Sequence, residues 1–242
     1  MNNKIELSVV IPAYNEEKRI LPTLQNYYEL LKKEFGKNFE IIVVPNNCSD
    51  NTLGIVQNFS KQNTQTKSIN FQYYIGKGGA VMRGFQISKG NFIGFTDADN
   101  STDPENFLKL YKNKKDFDGV IASRRLKGAV IYPPRKIHQD LSSYFFNKEV
   151  NLLFNLKFKD TQCGAKLFNK KAAELLTRNY SEIGWIFDVD LLNICKKNNF
   201  RILECPIQWS DSEGSHLSTY KGFLAALELL RFRFRNKKLN SF

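Results

Sequence analysis

Phe92-Ile93-Gly94-Phe95-Thr96-Asp97-Ala98-Asp99-Asn100-Ser101-Thr102-Asp103-Pro104 is the stretch on which the reading of this chain turns. It opens as a short apolar run of the kind buried in a parallel sheet and ends in an aspartate-proline pair, a helix N-cap followed by proline at the first helical position. Between them stand two carboxylates two residues apart. At the end of a strand, residues i and i+2 point the same way, so Asp97 and Asp99 are expected to face a hard divalent cation and the phosphates it bridges. The spacing alone does not discriminate, because Asp116-Phe117-Asp118 and Asp188-Val189-Asp190 share it. Only the first follows a buried-strand pattern and precedes a proline-started helix, although a solvated strand-to-helix turn would read the same way.

Upstream, β-rich runs at Leu7–Ile11, Ile41–Val44 and Asn70–Tyr74 alternate with helical patterns near Lys18–Phe35, Thr52–Gln62 and Gly79–Ser88. With Phe92–Thr96 as a fourth strand, this alternation is the signature of a parallel sheet covered by crossover helices. The polar stretch Lys61–Ser68 reads as a surface loop. The first two strands end in Pro12-Ala13-Tyr14-Asn15 and Pro45-Asn46-Asn47, where open α/β sheets place ligands. Gly76-Lys77-Gly78-Gly79 follows a strand and opens a helix, so its backbone N–H groups and lysine suit a diphosphate. It fits neither a dinucleotide fingerprint nor a phosphate loop ending in GK[ST], and glycines in such a place also form plain turns.

Beyond Pro104 the alternation becomes irregular, with a strand at Val120–Ser123, a basic loop through Pro133-Pro134-Arg135-Lys136, and helices around Leu141–Phe154 and Val189–Lys197. Ser123-Arg124-Arg125, Arg135-Lys136 and Lys166 form a basic and polar set that suits phosphate, since arginines grip it through forked hydrogen bonds. Neither an internal repeat nor a linker-like composition is visible. We therefore expect one domain over 1–242, divided into 1–103, 104–220 and a basic amphipathic terminal segment (221–242).

The length of 242 residues suffices for a sizeable core without disulfides. Four dispersed cysteines and two histidines make zinc and a disulfide framework poor readings and a reducing compartment the natural one. The formal charge of +12 attracts polyanions. Nucleic acid ranks last among these, for want of a zinc, helix-turn-helix or RNP pattern. No run approaches the roughly 18 apolar residues of a spanning helix. The last element, Tyr220–Lys238, interleaves Phe223, Leu224, Leu227, Leu230, Phe232 and Phe234 with basic residues. Such a helix either lies on an anionic bilayer or packs on the core with a solvated basic end.

In this order, Ser8-Val9-Val10-Ile11-Pro12-Ala13-Tyr14-Asn15-Glu16-Glu17, Gly76-Lys77-Gly78-Gly79-Ala80-Val81 and Asp97-Ala98-Asp99 resemble the nucleotide-sugar half of the family 2 glycosyltransferases with the GT-A fold. Asp160-Thr161-Gln162-Cys163-Gly164-Ala165-Lys166-Leu167-Phe168, Trp185-Ile186-Phe187-Asp188-Val189, and Trp209 with Glu213-Gly214-Ser215 resemble its polyprenyl-phosphate branch, the dolichyl-phosphate glucosyl- and mannosyltransferases. The resemblance runs from about Leu7 to Ser218 and implies that 1–103 is a nucleotide-sugar half and 104–220 an acceptor half. It implies an α/β, mostly parallel sheet flanked by helices, with Pro12, Tyr14, Glu16, Asn46, Lys77 and Gly78 around the nucleotide. It also implies Asp97 and Asp99 as holders of Mg²⁺ or Mn²⁺ and of the donor, and Arg124 as a phosphate ligand with Arg135 behind it. Gln162, Trp185 and Asp188 fall near the sugar and acceptor.

Two positions depart from the family. Where it commonly reads valine and then DDGS, this chain has Val44-Pro45-Asn46-Asn47-Cys48, so base recognition passes to an uncharged amide. In the basic loop, Gln139 and Asp140 stand where arginine is common. The resemblance implies inverting transfer of a hexose, glucose rather than mannose, from a nucleoside diphosphate (UDP-glucose, with GDP-mannose second) to dolichyl or another polyprenyl phosphate. The expected setting is the cytoplasm, peripheral on the cytoplasmic face of a membrane. A same-fold transferase with a soluble glycan acceptor and a catalytically silent sugar-nucleotide binder are the alternatives.

Overall fold

The computed structural model describes residues 4–134, 137–184, 186–210 and 228–234. The chain runs β1 (Leu7–Ala13), α1 (Ile20–Phe35), β2 (Phe39–Pro45), α2 (Thr52–Gln62), β3 (Thr66–Ser68), α3 (Gly76–Ile87), β4 (Phe92–Phe95) and α4 (Pro104–Lys112). It continues through β5 (Gly119–Ser123), β6 (Val130–Tyr132), α5 (Ile137–Phe154), β7 (Lys166–Asn169), α6 (Lys170–Asn179), α7 (Phe187–Lys197), β8 (Ile202–Pro206) and β9 (Gln208–Ser210).

The main sheet has the order β3-β2-β1-β4-β7-β5-β8. Strands β1, β2, β3 and β4 are mutually parallel, as expected from the alternation, and their apolar residues are buried on both faces. Pairing of Val10 with Phe95 and of Ala13 with Pro45 brings three strands to their carboxyl ends along one edge. That edge is where the Asp97 turn emerges. β7 lies antiparallel between β4 and β5, and so joins the two halves of the sheet into one. On one face α1, α2 and α4 close a core around Leu24, Tyr27, Phe39 and Phe107. On the other, Val10, Phe95, Phe168 and Phe187 pack under α3, α6 and α7.

Three expectations are corrected. Lys61–Ser68 is not all loop, since Thr66–Ser68 pairs with β2 through its backbone. Asn70–Tyr74 is not a strand, and only Phe71 makes a bridge, to Asn46. Tyr73 and Tyr74 give that segment its β-like composition and are both exposed. The helix expected from Gly79 begins at Gly76, so the glycine run is its first turn. Glycine's weak helix propensity conceals this in the sequence, and tertiary contact overrides it: a Cβ on Gly78 would meet the Phe187 ring at 2.6 Å. Asp103, by contrast, caps α4 as read, its carboxylate accepting from the Asn106 N–H with Pro104 at the helix start.

Of the terminal segment, only 228–234 lies within the described residues. It is helical, and Leu229 and Phe232 are buried beside Val150 and Phe154 of α5. Phe232 therefore packs inward, because the core there offers it an aromatic partner, Phe154, at 5.3 Å between centroids. Residues 211–227 and 235–242, with Glu213-Gly214-Ser215, lie outside the described residues.

Candidate active site

The Asp97-Ala98-Asp99 turn is held from beneath by α1. The Thr23 hydroxyl donates to the Ala98 carbonyl at 2.8 Å, and the buried Tyr27 hydroxyl donates to the Thr102 carbonyl at 2.7 Å. Asp99 accepts from the Ser101 N–H at 3.0 Å. Asp97 lies directly against Gly164, whose Cα leaves no space for a Cβ: an added one would fall 1.7 Å from the Asp97 carboxylate. The distinctive Asp160–Phe168 segment and the carboxylate turn, remote in sequence, thus form one site.

Lys77 reaches across from the first turn of α3, and its ammonium meets the Asp97 carboxylate at 2.6 Å. Both side chains keep about a third of their surface open, 36% and 30%. Burial alone would lower the Lys77 pKa, but the charges of Asp97, Asp188 and Asp99 carry it upward. Burial likewise pushes the Asp97 carboxyl up, Lys77 pulls against that, and the Asp99 charge adds to it. Glu16 completes the cluster. Its carboxyl is also raised, by burial first, and by Asp99 and Asp97 against the opposing Arg19, which grips it through two bonds of 2.7 and 2.9 Å. With the charges of Asp97 and Asp99 both acting on Glu16, and that of Asp99 on Asp97, the cluster is a locus that favours added positive charge.

The residues expected around a nucleotide converge here. Pro12 is buried at the end of β1, while Tyr14 is half exposed beyond it. The β1–α1 and β2–α2 turns are stitched together, Glu16 N–H donating to the Thr52 hydroxyl at 2.7 Å and Ser49 N–H to the Asn15 side chain at 2.8 Å. Asn46 is buried and donates its amide to the Ala13 carbonyl at 3.2 Å, which leaves its Oδ1 buried with no partner among the described residues. An unpaired buried acceptor is costly, and one aimed at a ligand edge is a recognition group in waiting.

One expectation about the glycine run changes. The Gly78 N–H donates to the Ile183 carbonyl at 3.0 Å, so it is already used within the protein. Gly76, at φ 67°, has its Cα against the same carbonyl. The first turn of α3 is a packing joint with Glu182, Ile183 and Phe187, and Lys77 is the group it turns toward the carboxylate cluster.

Among the residues expected near an acceptor, two ion pairs are buried. Arg124, at the end of β5, holds Asp160 through Nε at 2.7 Å and Nη2 at 2.9 Å, and its backbone N–H bonds the same carboxylate. Only 9% and 3% of these side chains are exposed. Burial would raise the Asp160 pKa, yet the guanidinium holds it far below the usual carboxylate range. Lys166, grouped by sequence in the basic set that suits phosphate, is fully buried: its ammonium meets Asp188 at 2.5 Å and the Cys163 carbonyl at 2.7 Å. It sits on an inward-facing position of β7, where the carboxylate of α7 compensates its charge. Asp188 therefore reaches the site as the partner of Lys166, and its charge still acts on Lys77 and Asp97. Gln162 is half-buried, with its Nε2 lacking a partner among the described residues. Arg135 and Trp185 lie outside them. Asp160 is the residue that site reasoning missed; its signal was its place at the head of the most distinctive segment.

Comparison with known proteins matches Glycosyl transferase family 2 to residues 8–176, more than half of the chain. A dolichyl-phosphate beta-glucosyltransferase of Dictyostelium discoideum is 30% identical over 96% of this chain and 75% of its own length. That of Saccharomyces cerevisiae is 32% identical over 90% and 70%, and that of Homo sapiens 30% over 95% and 75%. Among solved structures, glucosyl-3-phosphoglycerate synthase from Mycobacterium tuberculosis, in complex with Mn²⁺, UDP and phosphoglyceric acid, superposes with a TM-score of 0.67 at 16% identity, over 95% of this chain and 78% of that one. A mannosyltransferase from Pyrobaculum calidifontis, in complex with GDP-Man and Mn²⁺, gives 0.63 at 15% identity, over 96% and 64%. At such identities the likeness speaks for the fold, which is the expected GT-A architecture.

Proposed function

This chain belongs to glycosyl transferase family 2, and on that premise we propose that it transfers glucose from a nucleoside diphosphate, UDP-glucose in the first instance, to dolichyl or another polyprenyl phosphate. The supporting observation is that the Glu16, Asp97 and Asp99 carboxylates and Lys77 gather at the open strand edge, with Arg124 near enough for Asp97 to act on its charge. This arrangement occurs in a chain that aligns over nearly its whole length with dolichyl-phosphate glucosyltransferases.

In this reading Asn46 Oδ1 accepts from the base or ribose, Tyr14 covers the base from its exposed position, and Lys77 leaves Asp97 for the diphosphate. Asp97 and Asp99 would hold Mg²⁺ or Mn²⁺. The residues fit such an ion: they are hard oxygen donors in a cluster that repels itself, with Asn100 Oδ1 buried and unpaired beside them. Among the described residues no three His, Cys, Asp or Glu side chains gather as a complete metal cage, so Asp97 and Asp99 would share such an ion with the donor. When bound, the ion supplies charge neutralisation for the departing diphosphate.

The acceptor phosphate is already anionic near neutral pH, so its oxygen attacks the anomeric carbon without a strong protein base, with inversion as its consequence. Arg124 serves by orientation: Asp160 fixes its fork and leaves Nη1 for the phosphate. The lipid acceptor and the +12 charge support a location at a membrane surface. The test is a panel of UDP- and GDP-sugars incubated with polyprenyl phosphate and divalent metal and scored for sugar in the lipid fraction. Transfer from UDP-glucose above all others is the expected result; transfer only to soluble glycans, or from GDP-mannose alone, overturns the reading.

A further inference from the structure

Helix α5 is apolar on two opposite faces, and the core uses only one. Val150 and Phe154 point inward and are 0% and 4% exposed. Half a turn round, Leu141, Tyr144, Phe145 and Leu152 form an outward stripe at spacings of 3, 4 and 7 residues, exposed by 50%, 46%, 62% and 84%. Scattered apolar residues on a surface need no explanation, but a contiguous stripe with an aromatic centre does. Lys148 falls in the middle of it, with its ammonium 5.5 Å from the Tyr144 ring.

We propose that the outer face of α5 is a docking surface for an anionic lipid bilayer, with Phe145 and Leu152 inserted among the acyl chains and Lys148 at the headgroups. The charge pattern favours lipid over protein. The stripe itself carries a cation and no acid; Asp140 and Glu149 border it on opposite sides, both half-buried, and burial raises the Glu149 carboxyl toward the neutral form. The exposed Lys127, Lys157 and Lys159 belong to the same half of a chain with a net charge of +12. A long basic side chain amid aromatics can lay its stem along the apolar surface and raise its charge to the phosphate layer. Continuity with the site supports the same occupant. Arg125, next to Arg124, donates to the Asp140 carbonyl at 3.1 Å, one residue before Leu141. Tyr132 of β6, 73% exposed, precedes the same helix. A lipid phosphate thus passes from the headgroup layer to Arg124 along α5. The path rests on the reading of a lipid-phosphate acceptor, whereas the docking face stands on its own surface chemistry.

The test uses the full chain with vesicles of phosphatidylcholine containing about 30 mol % phosphatidylserine and no polyprenyl phosphate. Flotation should show wild-type binding that weakens with salt. Phe145→Ser with Leu152→Ser should weaken it about 10- to 100-fold, and Lys148→Glu several-fold with a shallower salt dependence. Unchanged Tm and unchanged UDP affinity establish that the variants fold. Equal flotation of wild type and the double variant overturns the proposal. So does a wild-type oligomer that the double variant dissociates, which would make the occupant a second copy, or protection of the stripe from surface labelling by residues 211–227 in the absence of vesicles. Transfer to a short, water-soluble polyprenyl phosphate should survive in the double variant. Its absence in wild type would strike the functional reading and leave the vesicle result standing.

Discussion

Lys77–Asp97 and Arg124–Asp160 are both ion pairs at the lip of one sheet, yet they do opposite work. The first joins single atoms at 2.6 Å with both side chains about one-third open. The second is a fork with a backbone bond added, nearly closed to solvent. An open pair exchanges its partner at little cost, because water and an incoming ion compensate either charge. A buried pair cannot, since removing one member leaves the other uncompensated. The comparison separates a charge that can change partner when a ligand arrives from one whose orientation is fixed beforehand.

The largest expected effect breaks the closed pair. Asp160→Ala strands the Arg124 guanidinium and should lower unfolding free energy by about 3–5 kcal/mol, read from urea titration. A loss under about 1 kcal/mol would put Arg124–Asp160 in the same class as the open pair. Next, Asp99→Asn should leave the urea midpoint in place while cutting metal-dependent transfer about 10²–10³-fold, or roughly 3–4 kcal/mol. Full transfer by that variant, or undiminished wild-type transfer in excess EDTA, would remove the carboxylate turn from the chemistry.

A third case sharpens the comparison with a buried carboxylate that neutral donors hold. Asp190 accepts from both the N–H and hydroxyl of Ser181 and from the N–H of Glu182, and burial pushes its pKa up to about 6. A folded-state pKa raised above the unfolded value gives stability that is fully present below about pH 4 and is lost as pH rises through about 6. Two pKa units correspond to up to about 3 kcal/mol. Asp190→Asn keeps an acceptor oxygen and should flatten stability across this window; an unchanged slope in pH-dependent urea unfolding would refute the assignment. Asp160 behaves in the reverse sense: its depressed pKa gives stability that is present above about pH 4 and lost only in strong acid. The smallest effect concerns the open pair. Lys77→Met should shift stability by under about 1 kcal/mol and weaken UDP binding about tenfold, by calorimetry. A stability loss as large as that of Asp160→Ala would erase the distinction.

Legibility followed the range of the forces involved. β1, β2, β4 and α2 were readable because apolar runs and turn residues are local signals, and α2 matches at both ends. Thr66–Ser68 was not, because its three residues are held by the β2 backbone and carry no apolar pattern. Lys166 was grouped with phosphate-binding cations for the same reason: nothing near it in sequence announces that Asp188, on another element, compensates its charge.

By itself, then, the sequence determined the parallel half-sheet, the helix cap at Asp103, the two carboxylates at a strand end and the family to which they belong. These rest on periodicity and on short ordered motifs, both properties of neighbouring residues. Only the tertiary structure decided that Gly164 gives Asp97 its space, that Ile183 takes the Gly78 N–H, that Arg124 is clasped by Asp160, and that α5 turns one apolar face outward. Each depends on β7 entering antiparallel between β4 and β5 or on helices packed over that join. Such contacts are set by which distant surfaces exclude water together, and residue spacing along a chain does not encode that directly.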